Sequence, residues 1–307
     1  MSVLFTFPGQ GAQRPGMLHR LPDTPGVRET LDRAADVLGR SIDALDDEAS
    51  LRSTEAVQLC LLIAGVAAAR LLATLGALPT MVCGLSVGAF PAAVTAGALD
   101  FGDALRLVAL RGRLMEQAYP HGYGMTAIDG LAAPALESLL AGLRADGWPV
   151  HLANINSDTQ LVIAGSDEAM AIAAEQARKL GARRSQRLRV AVPSHCALLD
   201  AAAAAFARAF DGVPLARPRI ACLSGNLARP LFRPEHIAAD LAANMARPVL
   251  WLDSMRAAWE RGARLAVEMP PGRTLTRLAG SSFDGLAIAV DDHRLDNVAA
   301  AVAASTS

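Results

Sequence analysis

The sequence GLSVG at 84–88 constrains the fold more than any other feature, because it places a serine on a turn between two predicted elements. A short apolar strand is predicted over 81–83, and a helical stretch continues from the motif to about residue 96. A sharp strand-to-helix bend needs small residues two positions either side of the turning residue. The motif predicts either a nucleophilic serine on such a turn or a tight turn whose serine is only structural.

Strands alternate with helices along most of the chain, which favours an α/β fold with a parallel sheet. Residue patterns predict strands over 3–7, 81–83, 220–223 and 265–268. Helices are predicted over 55–75 (capped by Ser53 or Thr54), 102–118 (capped by Asp100), 197–210, 234–244, 252–261 and shortly after residue 273. The last residues, AAVAASTS, are expected to form a frayed tail.

A different order of elements appears in the middle of the chain. The predicted order is β-α-β-β-α-β, which is typical of a ferredoxin-like unit. It consists of strands over 125–128, 150–154, 160–164 and 187–192 and of helices over 133–143 and 167–180. We therefore predict a large α/β domain over 1–123 and 193–307, with a ferredoxin-like insert over 124–192.

Composition and charge exclude several classes of protein. Hydrophobic residues make up 52% of the chain and charged residues 19%, which excludes intrinsic disorder. The net charge of −1 predicts no attraction to nucleic acid or to a membrane surface. Charges and turn residues interrupt the apolar runs, and the opening MSVLFTFPGQ lacks the pattern of a signal peptide, so we expect a soluble cytoplasmic protein. The four widely spaced cysteines predict neither a disulfide framework nor a zinc site.

A serine nucleophile needs a base, and His195 is the best candidate among the six histidines. It follows the predicted strand 187–192 and precedes a helix, so it lies at the carboxyl end of a strand, where sites of α/β sheets gather. His19, His121 and His293 lie in polar or glycine-rich stretches and are expected at the surface. Spacing alone leaves open whether His195 meets Ser86 or is an isolated histidine.

Arg111 is predicted on the apolar face of its helix. On a helical wheel of 104–118 it falls between Leu107, Val108 and Met115. A buried guanidinium must find an anion, because an unpaired buried charge is very costly. Its partner is either a carboxylate of the protein or the carboxylate of a substrate, which guanidinium binds through two parallel hydrogen bonds.

The glycine-rich sequence PGQG at 8–11 follows the first strand but matches neither nucleotide-binding pattern, so we predict no nucleotide site there. Its glycines instead allow the backbone and Gln10 to approach another loop closely. No group of histidine, aspartate and glutamate has the spacing of metal ligands, so we expect no metal.

Six cationic side chains form a basic cluster between residues 178 and 189. They are Arg178, Lys179, Arg183, Arg184, Arg187 and Arg189. The cluster is either a solvated helix end and strand edge or a landing surface for an acidic partner or for phosphates.

Eight segments, in order, resemble one family, the malonyl-CoA:acyl-carrier-protein transacylases, nearly end to end. The matching segments are FPGQGAQ at 7–13, GLSVG at 84–88, RGRLM at 111–115, ANIN at 153–156, QLVIAG at 160–165, PSHC at 193–196, PVLW at 248–251 and EMPPG at 268–272. The resemblance implies a hydrolase-like large domain, a ferredoxin-like small subdomain and an active site in the cleft between them.

The resemblance also implies a role for each site residue. Ser86 would be the nucleophile and His195 the general base, oriented by a carbonyl rather than by an aspartate. Gln10 and the backbone N–H of Val87 would form the oxyanion hole, and Arg111 would hold the free carboxylate of malonyl. The implied substrate is a coenzyme A thioester, with no bound cofactor.

Three departures from the family pattern suggest a particular branch. Leu85 stands where the family usually has histidine, Ala89 and Phe90 follow where it usually has glutamate, and Asn244 stands where it often has glutamine. Two segments, TFPGQGAQRPGM at 6–17 and GLSVGAF at 84–90, are more similar to the epsilon subunit of bacterial malonate decarboxylase, which transfers malonyl from malonyl-CoA to a small acyl-carrier subunit. The alternatives are a transacylase of fatty-acid synthesis, a serine hydrolase and a non-catalytic assembly subunit.

The implied partner is an acyl carrier protein. We expect it to dock near Arg183 and Arg184, within the basic cluster. Asn154, Asn156 and Asn244 either support the site or satisfy their own loops.

Overall fold

The computed structural model describes residues 2–43 and 45–306. Its strands, numbered in chain order, are β1 (Ser2–Phe7), β2 (Met81–Gly84), β3 (Tyr123–Asp129), β4 (Val150–Ile155), β5 (Gln160–Ser166), β6 (Arg184–Arg187), β7 (Ala221–Ser224), β8 (Arg229–Leu231), β9 (Ala263–Glu268) and β10 (Leu286–Ala289). Its α-helices are α1 (Pro25–Leu38), α2 (Thr54–Thr74), α3 (Ala89–Thr95), α4 (Phe101–Ala118), α5 (Ala133–Ala145), α6 (Asp167–Lys179), α7 (Asp200–Ala207), α8 (Pro234–Ala243), α9 (Trp251–Glu260), α10 (Thr274–Ala279) and α11 (Leu295–Thr306).

The strands form two sheets, which confirms the predicted α/β class. The larger sheet has the order β10-β9-β1-β2-β7-β8, with parallel pairing except between β7 and β8. The second sheet has the order β4-β5-β3-β6 and is antiparallel throughout. Its strands all come from residues 123–187, inside or within one residue of the predicted insert, and they carry the α5 and α6 crossovers of a ferredoxin-like unit.

Helix α2 corrects one expectation from composition. It is long and apolar enough to cross a membrane, contrary to the prediction that charges interrupt every apolar run. Most of its residues are buried inside the protein, where it packs against α1, α3 and α4. Its apolar character on all sides is therefore that of a core helix. The side chain of Ser53 accepts a hydrogen bond from Ala56 N and caps its start.

The last strand of the insert was predicted in the wrong place. The apolar residues of 187–192 suggested a strand there, but β6 ends at Arg187 and the chain continues as a loop to His195. Strand β6 is an exposed edge strand with four polar residues, so it shows no alternation of apolar and polar side chains. The predicted helix over 197–210 is also divided, because short 3₁₀ turns flank α7 on both sides.

The end of the chain is ordered rather than frayed. Helix α11 continues to Thr306, and it buries Val298 and Val302 in the core beside β1 and β9. The final Ser307 of the predicted tail lies outside the described residues. The alanine-rich composition hid this helix, because only two large side chains mark its buried face. Sequence patterns also missed α1, β8 and β10.

The GLSVG turn is packed backbone to backbone against the loop that follows β1. A Cβ atom on Gly84 would lie 2.0 Å from the carbonyl of Gly88, and one on Gly88 would lie 2.1 Å from the carbonyl oxygen of Phe7. A Cβ on Gly9 would lie 3.2 Å from the Cβ of Ser86. Only glycine fits where backbones approach this closely. The glycines thus hold the serine against the 8–11 loop.

We expect Gly88→Ala to destabilise the protein by about 3 kcal/mol, because the added methyl group overlaps the backbone of β1. Gly142→Ala is the matched control: Gly142 lies in α5 with no atom within 4 Å of an added Cβ. There alanine should stabilise the helix by about 0.5–1 kcal/mol. Urea unfolding followed by circular dichroism measures both, and equal midpoints for the two variants would contradict this account of the turn.

Candidate active site

A cavity of about 610 Å³ lies where β1 and β2 end and the second sheet approaches them. The carboxyl ends of parallel strands are where α/β proteins bind ligands. The 8–12 loop, the GLSVG turn, strands of the second sheet and α10 border this cleft. Among its lining residues are Gln10, Ser86, Asn154, Asn156, Arg184 and His195.

The structure brings Ser86 and His195 together in the cleft. The Nε2 atom of His195 lies 2.8 Å from Oγ of Ser86, although 109 positions separate them in the sequence. Ser86 has φ of 57° and His195 has φ of 66°, both in the left-handed region that side chains other than glycine rarely adopt. Such strained backbones persist where the surroundings hold them, and they concentrate at functional sites.

Two backbone carbonyls determine which nitrogen of His195 carries the proton. Nδ1 lies 2.9 Å from the carbonyl oxygen of Asn244 and 3.2 Å from that of Arg247. A carbonyl oxygen can only accept, so Nδ1 donates and Nε2 keeps the lone pair that faces Ser86. The imidazole is therefore oriented by carbonyls, with no carboxylate among its hydrogen-bond partners in the described residues.

His195 is a neutral base at ordinary pH. Burial, and to a lesser extent the nearby positive charge of Arg111, lower the pKa of its imidazole to about 4, although the two carbonyl contacts act in the opposite direction. An imidazole with this pKa is unprotonated at pH 7, so it is ready to accept the proton of the Ser86 hydroxyl.

Arg111 is fully buried, and within the described residues it has only neutral hydrogen-bond partners. Its Nη1 donates to Oε1 of Gln58 at 2.7 Å, and its Nη2 donates to Oδ1 of Asn244 at 3.1 Å and lies 3.4 Å from Oγ of Ser86. Burial lowers the pKa of the guanidinium to about 9, and its Nε has no hydrogen-bond partner. No carboxylate of the described residues contacts it. Of the two partners considered from the sequence, a protein carboxylate is therefore absent among these residues, and a substrate carboxylate stays a prediction.

Gln58 is a site residue that sequence analysis missed. It is fully buried in α2, and besides accepting from Arg111 it donates through Nε2 to Sδ of Met115 at 3.4 Å. The available signal was a glutamine inside a helix that is otherwise apolar on all sides, since a buried amide needs polar partners.

The remaining predicted residues lie around the same cleft. Gln10 lines it from the 8–11 loop, and the N–H of Val87 belongs to the first turn after the bend, where helical N–H groups lack intrahelical partners. Asn154 and Asn156 line the cleft from the second sheet, and Oδ1 of each has no hydrogen-bond partner. Asn244 lies between His195 and Arg111. Its backbone carbonyl contacts the histidine, and its side chain contacts the arginine.

The basic cluster partly borders the cleft. Arg184, Arg187 and Arg189 are among the lining residues. Arg187 pairs with Asp167 at 2.5 Å, and Lys179 pairs with Glu175 at 2.8 Å. Arg178, Arg183, Arg184 and Arg189 form no ion pair within 2–43 and 45–306. The cluster thus includes a helix end and an edge strand, in agreement with the first of the two alternatives drawn from the sequence. Its residues Arg184 and Arg189 also place unpaired positive charge at the cleft.

Within the described part of the chain, no group of three or more histidine, cysteine, aspartate or glutamate side chains is placed to hold a metal ion. The four cysteines are buried free thiols.

Comparison with known proteins agrees with this geometry. The acyl transferase domain family matches residues 4–300. A malonyl CoA-acyl carrier protein transacylase of Haemophilus influenzae is 36% identical over 294 residues, which cover 93% of this chain and 94% of that protein.

Two solved structures share the fold. The malonyl CoA-acyl carrier protein transacylase of Coxiella burnetii superposes with a TM-score of 0.93 at 32% identity, covering 100% of this chain and 98% of that one. A malonyl-transacylase in complex with its type II polyketide acyl-carrier protein superposes with a TM-score of 0.92 at 35% identity, covering 97% of this chain and 99% of that one.

We expect the reactivity of Ser86 to persist well into acid. A sulfonyl fluoride should modify it at a rate that follows the unprotonated fraction of His195, flat at neutral pH and falling with a midpoint near pH 4. Intact mass against time at each pH gives the rate, with Ser86→Ala as the unlabelled control. A midpoint near 6.5, the ordinary value for histidine, would show that burial does not shift the pKa of His195.

Proposed function

The chain belongs to the acyl transferase domain family, and from that premise we propose how it works as a malonyl-CoA:acyl-carrier-protein S-malonyltransferase. The observation that carries the proposal is the buried guanidinium of Arg111, which has only neutral partners and lies 3.4 Å from Oγ of Ser86. A malonyl thioester has an electrophilic carbonyl for the serine and a free carboxylate for the arginine. Acetyl has no such carboxylate.

In the first half-reaction, Oγ of Ser86 attacks the thioester carbonyl of malonyl-CoA while His195 Nε2 takes the hydroxyl proton. The N–H of Val87 and the Gln10 loop face the developing oxyanion, which hydrogen bonds from the protein stabilise. When the tetrahedral intermediate collapses, the carbon–sulfur bond breaks. The proton on His195 then passes to the leaving sulfur, and coenzyme A departs as a thiol. The malonyl group is left as an ester of Ser86.

In the second half-reaction, the phosphopantetheine thiol of the carrier enters the same cleft. His195 removes the thiol proton, the sulfur attacks the Ser86 ester, and the serine oxygen leaves with the proton that His195 returns. The carrier departs as a malonyl thioester and the enzyme is restored. Because one cleft serves both thiols in turn, the kinetics are ping-pong.

Brief exposure of the protein to malonyl-CoA should add one malonyl group to Ser86, with a much smaller acetyl adduct from acetyl-CoA. Arg111→Ala should slow malonyl transfer about a hundredfold more than acetyl transfer, since it removes a charge-assisted bidentate contact to the carboxylate. Intact-mass spectrometry measures each adduct, and Ser86→Ala is the control.

Equal losses for the two donors in Arg111→Ala would overturn the role of the arginine. Release of free malonate without a carrier would favour a serine hydrolase. Absence of any adduct, with no coenzyme A released, would favour an assembly subunit.

For the carrier, we propose the small acyl-carrier subunit of malonate decarboxylase. Support comes from Leu85 before the nucleophile and from Ala89 and Phe90 after it, where the sequence departs from the transacylases of fatty-acid synthesis. The alternative is the carrier of fatty-acid synthesis, since the names of the similar transacylases give an acyl carrier protein without mention of malonate decarboxylase. Transfer rates from malonyl-Ser86 to the two purified holo-carriers distinguish them, and faster transfer to the fatty-acid carrier would overturn the first choice.

The unpaired part of the basic cluster supports a docking site for the carrier near Arg183 and Arg184. Arg184 lies on the exposed edge strand at the border of the cleft, and its Nη2 donates only to the neutral side chain of Gln186. Acyl carrier proteins are acidic, and exposed positive charge speeds the encounter with an acidic partner.

Charge reversal of both residues (Arg183→Glu with Arg184→Glu) should slow transfer to the carrier about tenfold or more at low salt, and by more than it slows acylation by malonyl-CoA. The difference from wild type should shrink as salt rises, because exposed charges are screened. Reversal of Arg28, a cation of α1 paired with Asp23, is the control. Carrier transfer at wild-type rates in the double variant would place docking elsewhere.

A further inference from the structure

Asn226 lies behind the active site, on the turn that follows β7. Strand β7 is the parallel neighbour of β2, so its carboxyl end lies beside the GLSVG turn. A Cβ atom on Gly225 would lie 3.0 Å from the carbonyl oxygen of Gly84. Asn226 is buried and forms no hydrogen bond with Ser86, His195 or Arg111.

The hydrogen bonds of Asn226 allow only one orientation of its amide. Nδ2 donates to the carbonyl oxygens of Arg247 at 2.8 Å and Pro248 at 2.9 Å. Because carbonyl oxygens can only accept, the nitrogen must face them, and Oδ1 must point the other way. There Oδ1 accepts from Nδ2 of Asn244 at 2.9 Å.

The orientation of the Asn226 amide also determines that of the Asn244 amide, which contacts Arg111. With Nδ2 of Asn244 committed to Asn226, its Oδ1 faces Arg111 and accepts from Nη2 at 3.1 Å. A flipped Asn244 amide would present N–H groups to the guanidinium, which has no lone pair to accept them. The backbone of residues 247–248 thus sets the direction of a relay that ends on Arg111.

Asn226 also braces the carbonyl that orients the base. The oxygen of Arg247 accepts from Nδ2 of Asn226 and lies 3.2 Å from Nδ1 of His195. The turn that carries Asn226 is itself fixed, because the hydroxyl of Ser224 accepts from Asn226 N at 3.2 Å and donates to the half-buried carboxyl of Asp240 at 2.6 Å.

We infer that Asn226 is a positioning residue, which acts through Asn244 to aim the guanidinium of Arg111 at the donor's carboxylate. The inference rests on the proposed malonyl transfer. It assigns donor selectivity to a residue that touches neither the substrate nor the nucleophile.

The test is the ratio of acylation rates with malonyl-CoA and acetyl-CoA, taken from the growth of each Ser86 adduct in intact-mass spectra. Asn226→Ala should lower this ratio about tenfold, the effect of losing one hydrogen bond that orients a charged group. Both donors report on the same preparation, so a lower fraction of folded protein cancels in the ratio.

Asn226→Asp tests the relay without a change of shape, because it removes the donor to the two carbonyls and should lower the ratio as well. In an Asn244→Ala background, Asn226→Ala should change the ratio no further, since the residue through which it acts is gone. Ser254→Ala is the matched control: its buried hydroxyl donates to Leu250 O at 2.7 Å and to Ser224 O at 3.4 Å but forms no hydrogen bond with Asn226 or Asn244, so this variant should keep the wild-type ratio.

The outcomes separate the two proposals. A wild-type protein that forms no malonyl adduct would overturn the proposed function. A wild-type protein that prefers malonyl, with the same preference in Asn226→Ala or Asn226→Asp, would overturn the positioning role alone. An additive loss of the ratio in the Asn226→Ala, Asn244→Ala double variant would show that Asn226 does not act through Asn244.

Discussion

A buried positive charge without a carboxylate of its own is the interaction on which the site depends. Removing a guanidinium from water is costly, and amide oxygens offset only part of that cost. Gln58 and Asn244 hold Arg111 in place through neutral acceptors and leave its charge uncompensated. That charge contributes to the low pKa of His195. An anion that binds beside Arg111 would form the ion pair that the guanidinium lacks.

The parallel sheet explains how residues far apart in sequence surround that charge. Adjacent parallel strands end at one edge, so β1, β2 and β7 deliver the Gln10 loop, Ser86 and Asn226 to neighbouring positions. The second sheet closes the other side, and Val249 N donates to the carbonyl of Ala153 in β4 at 2.8 Å. The segment that orients His195 is therefore held from both sheets.

Local signals were enough to predict the residues whose roles depend on local geometry. The glycines around Ser86 indicated a bend, and a helical wheel placed Arg111 on the buried face. His195 was selected for its position after a predicted strand over 187–192, but the structure has a loop from residue 188 to His195. Asn226 gave no such signal, because its role follows from the contact of a turn with a segment some twenty residues away. The exposed strand β6 was misplaced because nothing in a polar edge strand marks its register.

In the proposed reaction the buried arginine also affects the base, because His195 is oriented by carbonyls rather than by a carboxylate. No carboxylate of the described residues contacts the imidazole to stabilise the imidazolium that forms when Ser86 loses its proton, and the charge of Arg111 opposes that imidazolium. In the proposed reaction, a malonyl carboxylate paired with Arg111 would cancel that opposition and so raise the pKa of His195. An acetyl donor leaves the arginine uncompensated and the base weak. Selectivity then acts on the chemical step as well as on binding, since the correct donor strengthens the base that activates the nucleophile.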